Sequence, residues 1–279
     1  NTAGARLAAI STAGGTPPVD ERRLFFSVDV AEVRDEFFSV EKDYDVVTIG
    51  SGYRAHPNDT DVQDRLYLFR DYLIDSPVAV DNSGVPTNYP LCNNTANPTD
   101  PPLLQVCLDG SSNVRPLNEA DLQDVTANLI QDGDASQQAA EQDGLRISNG
   151  WYILLQENDG SFVGEKSLAK SIIIDGTVFY TTFTPAVQNP TNPCAANEGA
   201  GKLYAVDLVD GSAVFDFNGN TNLEKADRTF NVGGGIPSEL VPVFLETGLT
   251  GLVGTGGGAA KPPINANLPR ERTFWYQLF

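Results

Sequence analysis

The feature that most constrains this chain is a unit of short strands that turn at Asp-Gly dipeptides, between Ser171 and Phe215. A β-branched strand and an aromatic strand flank Asp175-Gly176, and a second pair flanks Asp210-Gly211. Asp-Gly between such runs is a strong hairpin signal, because both residues tolerate the positive φ of a two-residue turn. The unit therefore predicts a small antiparallel sheet.

Two weaker copies of this unit flank it along the chain. Val47–Arg70 repeats its middle part, and Ile236–Leu278 repeats it again. Repeated small sheets are typical of β-propellers, and Gly201–Gly211 is similar to the third strand and turn of quinoprotein-like propellers. We predict an all-β fold, a partial quinoprotein-like β-propeller of about three blades. Closed propellers use about four to eight blades, so the others have to be supplied elsewhere.

Further strands are predicted from short β-branched and aromatic runs. They are Asp45–Gly50, Arg65–Arg70, Trp151–Leu155, Leu240–Leu245, Leu249–Val253 and Thr273–Leu278. Asp75–Asn149 is rich in Asn, Asp, Gln and Pro and is interpreted as an insertion between strands of one domain, 1–279. Inside it we expect a short helix capped by Asn118, with Asp121 three residues on and Leu122, Val125 and Leu129 at helical spacing.

The charge of the chain excludes several classes of partner. Lys and Arg total 18 against 37 Asp and Glu, a net charge of −19. Such a surface repels nucleic acid and anionic lipid. The chain contains no run of about 18 apolar residues, so no membrane-spanning helix is predicted. The chain has no Met and opens without the features of a signal peptide, so we expect a piece of a longer, processed protein.

Three cysteines, Cys92, Cys107 and Cys194, raise the question of a disulfide. Cys92 and Cys107 flank a short polar segment, and closing that loop would stabilise the fold by about 3 kcal/mol. We expect this disulfide if the compartment is oxidising. Cys194 is left over, either free or paired outside this chain. The chain contains no Cys-X-X-Cys motif, so a zinc site is not expected.

An Asn- and Asp-rich loop, Asp216–Asp227, is the candidate metal site. Its oxygen-bearing side chains stand at loop positions 1, 3, 5, 7, 9 and 12, the spacing of an EF-hand calcium loop. The predicted ligands are Asp216, Asn218, Asn220, Asn222, Glu224 and Asp227. Gly219 stands at position 4 where position 6 is usual, and position 12 is Asp in place of Glu. The alternative is an ordinary polar turn.

No catalytic constellation stands out. His56 is the one histidine, so a multi-histidine metal site is excluded, and its place before Pro57 favours a loop residue. Gly233–Gly235 and Gly254–Gly258 match neither a dinucleotide-binding motif nor a P-loop. We therefore expect a protein that is not an enzyme.

Several segments, in order along the chain, resemble the C-terminal propeller domain of the PilC/PilY family. They are Ile49–Pro57, Val62–Tyr67, Asn149–Ile153, Gly164–Lys166, Thr181–Pro185, Gly201–Asp207 and Gly233–Glu239. The resemblance implies a bacterial protein, secreted or on the outer surface, at the type IV pilus tip or outer membrane. It implies a role in pilus biogenesis and cell adhesion. In the family a calcium-binding acidic loop tunes pilus extension, and we expect that loop just before Asn1, so this chain departs from the family by lacking it.

The resemblance also implies partners: pilin or minor pilin subunits, the N-terminal part of the same protein, and a host-cell or surface ligand. Two alternatives stay open. One is a quinoprotein-like dehydrogenase, which would need neighbouring cysteines and a tryptophan under its cofactor, although no two cysteines are adjacent here. The other is a purely structural, calcium-stabilised propeller module.

Overall fold

The computed structural model describes residues 7–10, 21–34, 43–71, 116–157, 159–186, 198–245 and 248–264. These residues form an all-β fold with two helices, α1 (Leu129–Asp132) and α2 (Ala135–Ile147). The strands are β1 (Asp29–Arg34), β2 (Asp43–Gly50), β3 (Arg65–Asp71), β4 (Gln123–Asp124), β5 (Gly150–Leu154), β6 (Lys166–Ser167), β7 (Ile172–Ile174), β8 (Thr177–Thr184), β9 (Ala200–Asp207), β10 (Thr229–Gly234), β11 (Leu240–Leu245), β12 (Gly248–Thr255) and β13 (Gly258–Ala260).

The strands make three sheets in chain order. Sheet A has the order β1-β2-β3-β5-β4, sheet B the order β10-β9-β8-β6 with β7 also paired to β8, and sheet C the order β11-β12-β13. All pairs are antiparallel except β4 with β5. Sheet B contacts sheet A on one side and sheet C on the other. The prediction of an all-β chain with about three blades is confirmed.

Strand β8 explains why the sheets stack. Its residues are buried except at the last position. Val178 and Tyr180 pack with side chains of sheet A, and Phe179 between them packs with side chains of sheet C. Successive side chains of a strand point to opposite faces, so a strand that is buried at nearly every position needs a neighbour on each face.

The other face of sheet A is covered from outside the sheet. Ile49, Tyr67 and Phe69 pack there against Ile10 and against two residues of the 116–122 segment, Leu117 and Leu122. The stack therefore runs from this cover through sheets A and B to sheet C. On the far face of sheet C, Val241 and Leu252 stand opposite each other and are exposed.

Polar atoms cross the interface between sheets A and B. The indole of Trp151 donates from Nε1 to the carbonyl of Leu208 at 3.2 Å, and the hydroxyl of Tyr180 donates to the carbonyl of Tyr67 at 2.8 Å. Both side chains are buried, so each needs such a partner. These bonds set the position of one sheet on the other.

The predicted repeat corresponds to equivalent hairpins. β2 and β3 are the second and third strands of sheet A, and β8 and β9 take the same places in sheet B. Asp175 and Gly176 form the predicted turn, with φ of 48° and 73°. The predicted strand Ser212–Phe215 is shorter than expected, a single bridge of Ala213 to Val206.

The helix predicted from Asn118 is wrong beyond its first turn. Asn118 and Asp121 do form a capping box, with Asn118 Oδ1 accepting from the amide of Ala120 at 3.0 Å, but it closes a 3₁₀ turn, Glu119–Asp121. Leu122 is extended, because the chain next pairs with sheet A as β4. Leu122 and Val125 pack in different clusters, so they do not share a helix face.

The longer helix, α2, was not predicted, and it is capped by Asp134, whose side chain accepts from the amides of Ser136 and Gln137. The sequence of α2 is largely polar, and only Glu141 and Leu145 are buried. It therefore lacks the apolar spacing from which a helix would be predicted. Along the chain, α2 lies between the neighbouring strands β3 and β5. None of the helices in the described ranges has the length and apolarity to cross a bilayer.

Arg70 joins α2 to both sheets. It lies in β3, is 1% exposed, and donates from Nη1 to the carbonyl of Leu145 at 2.8 Å and from Nη2 to the carbonyl of Val209 at 2.9 Å. A buried guanidinium needs such acceptors, so Arg70 anchors the end of α2 and the turn after β9 to sheet A. The predicted strand Thr273–Leu278 lies outside the described residues.

Removing two methyl groups at the interface between sheets A and B tests the stacked arrangement. Val178 is fully buried there, whereas Val241 on the outer face of sheet C is 50% exposed. We expect Val178→Ala to lower the free energy of unfolding by about 2 kcal/mol and Val241→Ala by less than about 0.5 kcal/mol. Urea denaturation of both variants measures this, and equal losses would contradict the arrangement.

Candidate functional site

The predicted calcium loop is a compact turn held by its own side chains. The carboxylate of Asp216 accepts from the amide of Gly219 at 2.6 Å and from the amide of Thr221 at 2.9 Å. Asn218 Oδ1 accepts from the amide of Asn220 at 2.9 Å, and Asn220 Oδ1 from that of Asn222 at 2.8 Å. Short side chains that bond the backbone two residues on are typical of Asx turns.

The two remaining predicted ligands close the loop. Glu224 Oε1 accepts from the side-chain amides of Asn218 and Asn220, both at 3.0 Å. Asp227 is fully buried and accepts from the amides of Phe217 at 3.0 Å and Asn218 at 3.1 Å through Oδ1, and from the amide of Glu224 at 3.2 Å through Oδ2. Asp227 therefore ties the end of the loop to its start.

The six predicted ligands thus share one loop, but the side-chain oxygens of five of them accept hydrogen bonds from protein donors, namely those of Asp216, Asn218, Asn220, Glu224 and Asp227. In the part of the chain that the structure describes, no three His, Cys, Asp or Glu side chains are grouped to hold a metal ion. Calcium binding by this loop stays a prediction. The predicted disulfide, Cys92–Cys107, and the third cysteine, Cys194, lie outside the described residues.

A second candidate is a cavity of about 370 Å³ that sequence reasoning missed. Its lining residues are Glu21, Arg23, Tyr53, His56, Asp59, Asp61, Val62, Asp64 and Lys166. Lys166 is buried, and its ammonium donates to the carbonyls of Pro57 at 3.1 Å, Asp59 at 2.6 Å and Gly164 at 2.7 Å. The lysine therefore holds the 51–64 loop of sheet A against the strand β6 of sheet B.

Asp64 is the other buried charge of this cavity. Its Oδ1 accepts from the hydroxyl of Ser51 at 2.7 Å, and that hydroxyl accepts from the amide of Arg65 at 2.9 Å. Burial raises the pKa of Asp64 to about 6, although the Ser51 hydrogen bond and the charges of Lys166 and Arg22 oppose the rise. Asp64 and Lys166 are far apart in sequence, so no local pattern pairs them.

His56 lies in the loop position that the sequence predicts. Its imidazole is 59% exposed, with Nδ1 at 3.9 Å from Asp59 Oδ2, and its ring centre lies 4.9 Å from that of Tyr53. The ring of Tyr53 is covered by the guanidinium of Arg23 at 3.9 Å. Arg23 and His56 thus both contact Tyr53, which makes this cavity wall a packed cluster of side chains.

Comparisons with known proteins find a likeness among solved structures. A scan against models of protein families finds no match. A search of curated proteins also finds none. Among solved structures, the chain is similar to the crystal structure of the Pseudomonas aeruginosa PilY1 C-terminal domain, with a TM-score of 0.47 and 16% identity. The likeness covers 91% of this chain and 46% of that chain, so this chain spans about half the length of that structure.

Replacing Asp64 by asparagine tests its buried charge. Its folded-state pKa, about 6, exceeds the ordinary value of 3.8. The folded state therefore holds the proton more tightly, and the wild type loses stability as the pH rises from about 4 through 6. The introduced amide would keep an acceptor for Ser51 but cannot ionise. We expect Asp64→Asn to gain about 2–3 kcal/mol relative to wild type between about pH 4 and pH 7.5.

The measurement is the free energy of unfolding in urea at both pH values. Asp61→Asn is the matched control, because Asp61 lines the same cavity but is exposed. A gain that does not depend on pH, or one that the control shares, would contradict the role assigned to the burial of Asp64.

The calcium prediction has its own test in Asp216→Ala. If the loop binds calcium as predicted, about 1 mM calcium raises the Tm of the wild type and not that of the variant. Asp159→Ala is the control, because Asp159 also caps a turn, by accepting from the amide of Ser161 at 2.9 Å. It should keep the calcium response. An unchanged wild-type Tm would leave the loop as a polar turn.

Proposed function

We propose that this chain is part of a PilC/PilY-type β-propeller domain, acts without catalysis in type IV pilus biogenesis and surface adhesion, and works outside the cell. One observation carries the proposal. The segments that resemble the family lie far apart in sequence, and several of them meet in one buried network where sheets A and B join.

Glu165, from the Gly164–Lys166 segment, is the centre of that network. It is fully buried and accepts from Thr182 Oγ1 at 2.5 Å, from the hydroxyl of Tyr204 at 3.1 Å and from the ammonium of Lys202 at 2.8 Å. The donors come from two other resembling segments, Thr181–Pro185 and Gly201–Asp207. A buried carboxylate needs such a complete set of partners, so the network explains why these residue types occur in the three segments.

The Ile49–Pro57 segment contacts strand β6, which follows directly after Glu165. Ser167 donates from its amide to the carbonyl of Ser51 at 2.9 Å. A Cβ added at Gly50 would overlap Ser167 Cβ, and one added at Gly52 would overlap the Ser167 carbonyl oxygen. Glycine is therefore required at both positions of the Gly-Ser-Gly motif, which supports a packing role for it and not a catalytic one.

The surface supports the proposed location and partners. A net charge of −19 suits a protein that stays dispersed outside the cell and does not bind polyanions. The exposed apolar pair Val241 and Leu252 on sheet C suits contact with further blades from the N-terminal part of the same protein. Pilin or minor pilin subunits and a host-cell or surface ligand are proposed partners, and calcium is a proposed ligand.

Two other functions stay open beside this one. A quinoprotein-like dehydrogenase would share the propeller, but the three cysteines lie outside the described residues, so no observed geometry favours it. A purely structural, calcium-stabilised module would have no role in adhesion. Reduction of an electron-accepting dye by the purified protein with added pyrroloquinoline quinone would identify the first, and normal adhesion without this segment would favour the second.

The test of the proposed function uses the full-length protein in the bacterium that encodes it. We expect Glu165→Ala, which leaves Lys202 and Tyr204 without their buried partner, to reduce surface pili and attachment together. Removal of residues 1–279 should have the same effect. Sheared pili are quantified by immunoblot and attached cells are counted. Glu239→Ala, at an exposed position, is the control. Unchanged pili and attachment after removal of the segment would overturn the proposal.

A further inference from the structure

A buried carboxylate with one open oxygen lies in the cavity of about 370 Å³ beside the 51–64 loop. Asp64 is 2% exposed, and its Oδ1 accepts from the hydroxyl of Ser51 at 2.7 Å. No donor from the described residues bonds to Oδ2. Oδ2 is not one of the fully buried polar atoms without a partner, so it faces the space of the cavity. A buried carboxylate is stable only when its remaining lone pairs are also bonded, so Oδ2 is an acceptor in need of a donor.

The cations near Asp64 do not fully compensate its charge. Two of them act on it, Lys166 and Arg22. The ammonium of Lys166 already donates to three carbonyls, and the guanidinium of Arg22 is paired with Glu119 at 2.6 Å. Burial outweighs the effect of both cations and raises the pKa of Asp64 to about 6. The ionised carboxylate therefore still lacks a positive partner.

The other side chains of the lining give the cavity a negative charge. Four are carboxylates and two are cations, with His56 counted as neutral: Glu21, Asp59, Asp61 and Asp64 against Arg23 and Lys166. In the part of the chain that the structure describes, no three His, Cys, Asp or Glu side chains are grouped to hold a metal ion. The carboxylates are therefore spread along the cavity, which suits an elongated cation and not a single ion.

We propose that this cavity binds a small aliphatic diamine, with one ammonium group on Asp64 Oδ2 and the other near the exposed carboxylates of Asp59 and Asp61. Each ammonium group supplies N–H donors and a positive charge, and Asp64 lacks both. Two positive charges also balance the lining, whose four carboxylates exceed its two cations by two. The volume is about twelve times the share of one water molecule in the liquid, which admits a four-carbon diamine. Val62 suits the carbon chain.

The effect of Asp64 on stability supports a functional role for this residue. Because its folded-state pKa of about 6 lies above the ordinary value of 3.8, ionisation of Asp64 opposes folding at neutral pH. A buried carboxylate that destabilises the fold and opens into a cleft is typical of a binding or catalytic site. The inference does not depend on the proposed role in pili, because it rests on the cavity alone.

The experiment is a titration of the purified chain with putrescine at about pH 7.5, followed by isothermal calorimetry or by chemical shifts. The diol of the same carbon length is the matched neutral ligand, and the ionic strength is held constant because salt screens charge. We expect saturable binding of putrescine and at least about tenfold weaker binding of the diol. Equal binding of the two, or no saturable binding of putrescine, would overturn the proposal.

Removing the charge of Asp64 locates the binding. Asp64→Asn keeps an acceptor for Ser51 but loses the negative charge, so it should weaken putrescine binding about tenfold. This variant is expected to be more stable than the wild type at the same pH, so unfolding does not account for the loss, and Tm values verify this. Asp175→Asn, in the exposed turn between β7 and β8, changes the net charge equally and should bind as the wild type does. Equal affinities for the two variants would show that the amine is held elsewhere.

The pH dependence of binding gives an independent measurement. Protonation of Asp64 below about pH 6 removes the charge that attracts the amine, so the affinity of the wild type should fall about tenfold from about pH 7.5 to about pH 5. Asp64→Asn should lose most of this decrease.

The control for the pH dependence concerns the other charged groups around Asp64. They are Glu21, Arg23, His56, Asp59, Asp61 and Lys166 in the lining, with Arg22 also acting on Asp64. Histidine is the residue type that ordinarily titrates in this range, so His56→Gln is the control and should retain the decrease. A decrease that persists in Asp64→Asn, or that disappears in His56→Gln, would contradict the assignment to Asp64.

Discussion

The stacking of sheet B between sheets A and C is the constraint on which the rest of the structure depends. Strand β8 of sheet B is buried on both faces, because Val178 and Tyr180 pack against sheet A and Phe179 packs against sheet C. A sheet of this kind has no stable solvent face. The three sheets are therefore parts of one body, and the exposed apolar pair on sheet C marks where the stack stops within the described residues.

The apolar stack also explains where the charged residues lie. Sliding of one sheet on another is opposed by buried ionic groups whose partners come from different elements: Arg70 with the carbonyls of Leu145 and Val209, and Lys166 with carbonyls of the 51–64 loop and Gly164. Breaking one such contact leaves an unpaired buried charge, which is strongly destabilising. These contacts give the arrangement its specificity, whereas the apolar faces supply most of the free energy.

The cavities follow from the same arrangement. Polar side chains line the cavities at the edge of the apolar contact between the sheets. One such place holds Asp64 and Lys166, which join the 51–64 loop to β6, and another holds Lys225 and Arg228 beside β5 and β9.

The sequence by itself determined most of the longer strands, the Asp175-Gly176 turn and the repeat of β2–β3 in β8–β9, because these depend on alternation and turn chemistry among residues a few positions apart. It also placed the cap at Asn118. It did not predict β1, β4, β6, β10 and β13. Only the tertiary structure decided that the helix ends at Leu122, since pairing of β4 with β5 competes with it. The same holds for the bonds of Lys166 to the carbonyls of Pro57 and Asp59, and of Arg228 to the carbonyls of Val125 and Thr126. These contacts join residues from separate sheets and loops, and no local pattern records which distant side chains the packing of the sheets brings together.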